Sequence, residues 1–223
     1  MAALLAATAA APVAANVLVV RSSGPSASAY PAGRALPDNA RIQLRAGDTL
    51  VLLGSGGTRT FRGPITTAAN AAVQAGTQTA QASDGRRVRV GAVRSAGILP
   101  VSPSTIWQVD VTQSGNMCLA DTSNVMLWRP DASQSTTLAI RGPNGAQNVT
   151  WAAGHATVAW PAALPIADGA DYQFTTPGVA VPAHIRVKTL ASEPGDVQGV
   201  AQALIANGCQ EQLDLLIETA PTE

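Results

Sequence analysis

Short apolar runs broken by turn residues set the rhythm of this chain. Val17-Leu18-Val19-Val20 is a β-branched run that suits a buried strand. Residues 22–37 are rich in Ser, Gly and Pro and read as a loop. Between Ala40 and Leu44, Ile42 and Leu44 point one way while Arg41, Gln43 and Arg45 point the other, the alternation of a half-buried strand. Ala46-Gly47-Asp48 predicts a tight hairpin turn into a strand over Thr49–Leu53, and Gly54-Ser55-Gly56-Gly57 a second turn into Thr58–Arg62. Gly63-Pro64 closes this meander, a small sheet or barrel spanning 16–64.

Residues 65–104 change character. The stretch 65–83 is poor in large apolar residues and rich in Ala, Thr and Gln, a linker that is partly helical, although Gly76 argues against one long helix. Asp84-Gly85 is a turn, and Val88 and Val90 then alternate with arginines.

From 105 to 219 the pattern is again mostly strand. Ile106–Val111 alternates, with Trp107, Val109 and Val111 on one side. Further strands are expected at Met117–Leu119, Asn124–Trp128, Thr136–Ile140, Asn148–Trp151, Ala156–Trp160, Tyr172–Thr175 and Ile185–Leu190. Pro143-Asn144-Gly145 marks a turn, and Ala152–His155 a hairpin loop. Strands at short regular spacing with turns between them predict a β-sandwich. Over 194–207, Val197, Val200, Ala201, Leu204 and Ile205 recur at helical spacing, with Pro194 near the start and Gly208 placed for a left-handed cap. One C-terminal helix is therefore expected, and Leu213–Ile217 reads as a last strand.

Composition agrees with a mainly β chain. Only 13% of the 223 residues are charged, which suits short strands and turns better than long solvent-exposed helices. Net charge is zero, so no overall basic excess points to nucleic acid. The local cluster Arg86, Arg87, Arg89, Arg94 reads as a solvated strand beside the linker.

Residues 1–15 are uncharged and Ala-rich, and Val13-Ala14-Ala15 fits the small-residue pattern of signal cleavage. The stretch lacks a leading Lys or Arg and is short for a signal core; the competing reading is an Ala-rich tail. No other segment approaches the ~18–20 apolar residues of a membrane span. Cys118 and Cys209 are the only cysteines. In an exported chain an even count predicts a disulfide, here pinning the helix end to the sandwich; reduced, buried thiols are the alternative. A periplasmic or secreted location follows from the signal-like segment and the bridge together.

Catalytic chemistry finds little support. His155 and His184 are the only histidines, neither has a metal-ligand neighbour in sequence, and no Gly-x-Ser-x-Gly motif occurs. The glycines at 54–57 lead into a strand, where a phosphate loop needs a helix. Asp110, Asp121, Asp168 and Asp171 fall in the β-rich half and leave a hydrolase of envelope polymers as the alternative function, although turn and surface roles are the default for such residues. Trp107, Trp128, Trp151 and Trp160 either pack the sandwich core or form an aromatic platform for glycan or peptide.

Val19-Val20-Arg21-Ser22, Gly33, Leu36, Ile42-Gln43-Leu44, Gly47-Asp48-Thr49-Leu50 and Thr60-Phe61-Arg62-Gly63-Pro64 together resemble a FecR-like domain. The resemblance covers 17–64 and implies an exported β-rich unit used in envelope signalling and interaction, not catalysis. The second stretch is similar to Ig-like and fibronectin-like sandwiches in architecture alone. The expectation is a non-catalytic envelope protein that binds a protein or glycan, without metal or cofactor.

Overall fold

The computed structural model describes residues 16–71, 102–192 and 194–222, which fall into two compact units, one within 16–71 and the other within 102–222. The signal-like segment 1–15, most of the expected linker and the Arg86–Arg94 cluster lie outside the described residues.

The first unit holds strands β1 (Asn16–Ser23), β2 (Ala35–Pro37), β3 (Arg41–Leu44), β4 (Thr49–Leu53), β5 (Thr58–Arg62) and β6 (Ile65–Ala68). They form a four-stranded antiparallel sheet in the order β2-β1-β4-β5 and a two-stranded sheet β3-β6. A core including Val19, Ile42, Leu50, Leu52 and Phe61 draws on both sheets. The β4–β5 hairpin turns at the expected glycines, with Gly54 N–H donating to Gly57 O at 2.8 Å.

The expected meander is not formed, because β3 pairs with β6 and not with β4. At Arg45–Asp48 the chain switches sheets. The Asp48 carboxylate is buried there and accepts hydrogen bonds from the backbone N–H of Ser26 (2.9 Å) and of Arg45. Gly63 packs its backbone on this corner: a Cβ at that position would lie 1.8 Å from Arg45 O. The pairing of β6 also carries the first unit past the expected limit at Pro64, so Ile65–Ala68 is strand where a linker was read.

The second unit is a β-sandwich, as the spacing of strands predicted. Its strands are β7 (Val109–Asp110), β8 (Gly115–Leu119), β9 (Met126–Trp128), β10 (Thr136–Gly142), β11 (Gly145–Trp151), β12 (Thr157–Ala159), β13 (Asp171–Thr175) and β14 (Ala183–Thr189). One sheet runs β11-β10-β13-β14-β8 and the other β12-β9-β7. Leu127, Leu138, Ile140, Trp151, Phe174 and Val187 belong to one core cluster fed by both sheets. Tyr172 ties the β12–β13 connection down: its hydroxyl donates to Pro165 O (2.9 Å) and accepts from Ala167 N–H (3.1 Å), the tyrosine-corner arrangement of immunoglobulin-like sandwiches.

Three local expectations are corrected here. Ala152–His155 is a crossover between sheets and not a hairpin, since β12 pairs with β9. Ile106–Gln108 is not strand; Gln108 N–H donates to Thr105 O (3.2 Å) in a turn, and pairing begins at Val109. Two C-terminal helices occur in place of one, α1 (Val197–Asn207) and α2 (Gln210–Thr219), so Leu213–Ile217 is helical. The end of α1 is the predicted one. Gly208 adopts φ 67°, and the N–H groups of Gly208 and Cys209 reach Ile205 O and Leu204 O, closing the helix with a left-handed cap.

Candidate functional site

The helical pair is fixed to the sandwich along β8. Cys118 in β8 and Cys209, the residue just before α2, are joined by a disulfide with Cα atoms 5.9 Å apart. Beside it, buried Gln212 accepts from Cys118 N–H (2.6 Å) and donates to Cys118 O (2.8 Å) and Ile106 O (2.7 Å). Because β8 is the edge strand of its sheet, these bonds satisfy backbone groups that would otherwise offer a template for strand addition. Asn116 adds a tie from its side-chain amide to Asn207 O at 2.8 Å.

Anchoring α2 in this way creates a cleft of about 230 Å³ between the helix, the segment before β7, and the start of β8. Ile106, Val109, Met117, Ile185 and Leu215 supply its apolar floor, while Asp110, Glu211, Asp214 and Glu218 supply carboxylates. Among the described residues, none of those lining it is Lys, Arg or His. On α2 the acids stand at i, i+3 and i+7, which places them along one face of the helix. Asp110 is half-buried at the other wall. Burial pushes its carboxyl above the ordinary carboxylate value, and the hydrogen bonds it accepts from Thr112 N–H (2.9 Å) and hydroxyl (2.7 Å) only partly offset this.

The four tryptophans do not make a common platform. Trp128 and Trp151 are buried, at 2% exposure each, and their indole N–H groups have no partner among the described residues. Arg129 lies over the Trp151 ring at 5.4 Å and donates to the carbonyls of Ala152 and His155, bracing the crossover between β11 and β12. Trp160 is half-buried, meets Tyr172 edge-on with centroids 5.1 Å apart, and donates to Leu164 O. Trp107 is half-buried in the turn before β7.

The remaining aspartates each serve local structure. Asp121 accepts from Ser123 and Asn124, Asp168 from Thr189 N–H (2.8 Å), and Asp171 forms a cross-strand pair with Arg186 at 2.8 Å. His155 and His184 are exposed on separate loops and strands. No group of three or more potential metal ligands occurs among the described residues, and none of their helices is long and apolar enough to cross a membrane.

The apolar run Leu-Asp-Leu-Leu-Ile reads as a strand in the sequence, which hides the acids of α2. The signal was present: Gln, Glu and Leu are strong helix formers, and Glu211, Asp214 and Glu218 keep helical spacing. No family model, curated protein or solved structure matches the chain.

Proposed function

We propose that this chain is an exported, non-catalytic module of the cell envelope that binds a partner through the cleft beneath α2. The cleft carries this reading. It is concave, apolar at its floor, polar at its rim, and contains a carboxyl whose ionisation is perturbed by burial, the combination that marks ligand sites. The disulfide that holds its helical wall supports an oxidising compartment. The FecR-like character of 17–64 belongs to the same proposal, as a companion unit used in envelope interaction.

A photo-crosslinking residue placed at Glu211 in the native cell tests both halves of the reading, with exposed Thr175 on β13 as the control position. An adduct formed from position 211 but not from 175, recovered in the envelope fraction, is the expected result. Equal adducts from both positions, none from either, or adducts confined to the cytosolic fraction would overturn it.

A further inference from the structure

We infer that strand β11 is a docking edge for a second copy of this chain, the two copies pairing β11 to β11 antiparallel across a two-fold axis at Asn148. This surface is separate from the cleft, and the inference does not rest on the cleft being a site.

The backbone is the first ground. β11 is an end strand of the five-stranded sheet, and among the described residues it pairs with β10 alone. The two strands are joined by the two-residue turn Pro143-Asn144 and keep an unbroken register from Gly142↔Gly145 to Thr136↔Trp151. In such a hairpin alternate residues direct N–H and C=O to the partner strand, beginning with the pair beside the turn. Gly145, Gln147, Val149 and Trp151 therefore face β10. The hydroxyls of Thr137 and Thr150, 2.9 Å apart, fit the closer side chains of the intervening pairs. Ala146, Asn148 and Thr150 then direct their backbone groups outward. All three residues are exposed, and no turn, loop or side chain among the described residues bonds these groups.

The other edges among the described residues are short, charged or covered, the devices that keep a sheet from pairing with another chain. β8 meets the Gln212 amide. β7 has two residues, β2 and β12 three, and β3 and β6 four. β5 carries Arg59 and Arg62. By contrast β11 runs for seven residues, Gly-Ala-Gln-Asn-Val-Thr-Trp, with no charge, no proline and no bulge.

The side chains select the occupant. With Asn148 on the axis, the whole strand is paired with its copy. Asn148 meets its counterpart amide to amide, each able to donate and accept. Ala146 falls opposite Thr150, and Gln147 opposite Val149. Trp151, the one large side chain, falls opposite Gly145, which has none. The three outward residues exchange both backbone bonds with their counterparts, about six bonds in all. Two uncharged strands approach without repulsion, whereas a charged peptide would find no ion pair along this edge. A second β11 is also already extended, so it avoids the ordering cost that a free peptide meets on strand addition. One strand pair is a small interface beside the ~1,200–2,000 Å² of stable complexes, so the dimer is reversible, with Kd on the order of micromolar.

Sedimentation equilibrium of the full oxidised chain, from about 1 μM to about 1 mM, tests this. The expected result is a monomer–dimer equilibrium that Asn148→Lys weakens about tenfold or more, since it sets like charges opposite each other on the axis. Thr175→Lys, exposed on β13 two strands away, should leave the equilibrium unchanged. Unchanged melting temperatures verify that both variants fold. A photo-crosslinking residue at position 148 should give an adduct of twice the chain mass that maps to β11. A monomer throughout the range, or a dimer that Asn148→Lys leaves intact, would overturn the inference. Equal weakening by both substitutions would make the contact the sheet's face and overturn the edge. An adduct formed within a single chain, to residues 72–101, would give the edge to the chain's own segment and overturn the second copy.

Discussion

Gln212 presents its amide to Cys118 as a neighbouring strand would, accepting from the N–H and donating to the carbonyl. Nothing near it in sequence marks this role, because the partner lies 94 residues away. Replacing it by Leu keeps the volume and removes the bonds, leaving the N–H and carbonyl of Cys118 buried without partners. Gln212→Leu should therefore destabilise the second unit by about 2–6 kcal/mol, at ~1–3 kcal/mol for each orphaned group. Urea denaturation followed by tryptophan fluorescence checks this, since all four tryptophans lie in that unit. A loss below half a kcal/mol or so would mean that solvent replaces the amide at the sheet edge.

Asp48 is a second residue whose work is hidden in the sequence, where it reads as one member of a Gly-Asp turn. Burial alone would raise its carboxyl. Hydrogen bonds from the side chain and backbone of Ser26 and from the backbone of Arg45 outweigh that, so it titrates below its ordinary value of 3.8. The folded state thus holds on to the ionised form. The stabilisation is complete above the unfolded value and disappears as pH falls through the lower, folded one. Asp48→Asn should lower the melting temperature of the first unit near neutral pH. The gap to the parent chain should then narrow as pH drops below about 4. A gap that stays constant down to about pH 2 would show that the charge of Asp48 contributes nothing.

At the scale of elements, what could be read depended on whether the determinants were local. The hairpin at 54–57, the turn at Asn144-Gly145 and the cap at Gly208 are written in adjacent residues, and each forms where the sequence places it. The sheet switches at Arg45–Asp48 and Ala152–His155 are not, because a strand's alternation says which face is apolar but not which strand will pair with it. Helix α2 is the intermediate case: its three acids at helical spacing were legible, but its apolar run was equally compatible with a strand. That helix also carries a prediction. Glu218→Lys places a cation at the helix C-terminus and turns the repulsion with Asp214 into attraction, so it should stabilise the helix by about 0.5–1 kcal/mol. Thermal denaturation of the variant checks this, and a melting temperature that does not rise would assign Glu218 to a contact that the lysine loses.

For the molecule as a whole, the division into two β-rich units and the presence of a bridge were visible in composition and cysteine count, whereas the cleft was not, since it exists only once α2 is pinned against β8. The disulfide is confined to the second unit, where it closes a loop of 91 residues. For a loop of that length the chain-entropy model gives ~4–5 kcal/mol. The first unit contains no cysteine and has a core of its own. Cys118→Ala/Cys209→Ala should therefore cost about 4 kcal/mol in the second unit and leave the first unchanged. Hydrogen exchange resolves the two: α1, α2 and β8 should lose protection in the variant, while β1 and β4 exchange as in the parent chain. Equal loss in β1 and β4 would show that the two cores unfold as one. Loss restricted to α1 and α2, with β8 still protected, would show that the bridge holds the helices to a sandwich that does not need them, and that the cleft can be taken apart without unfolding the protein around it.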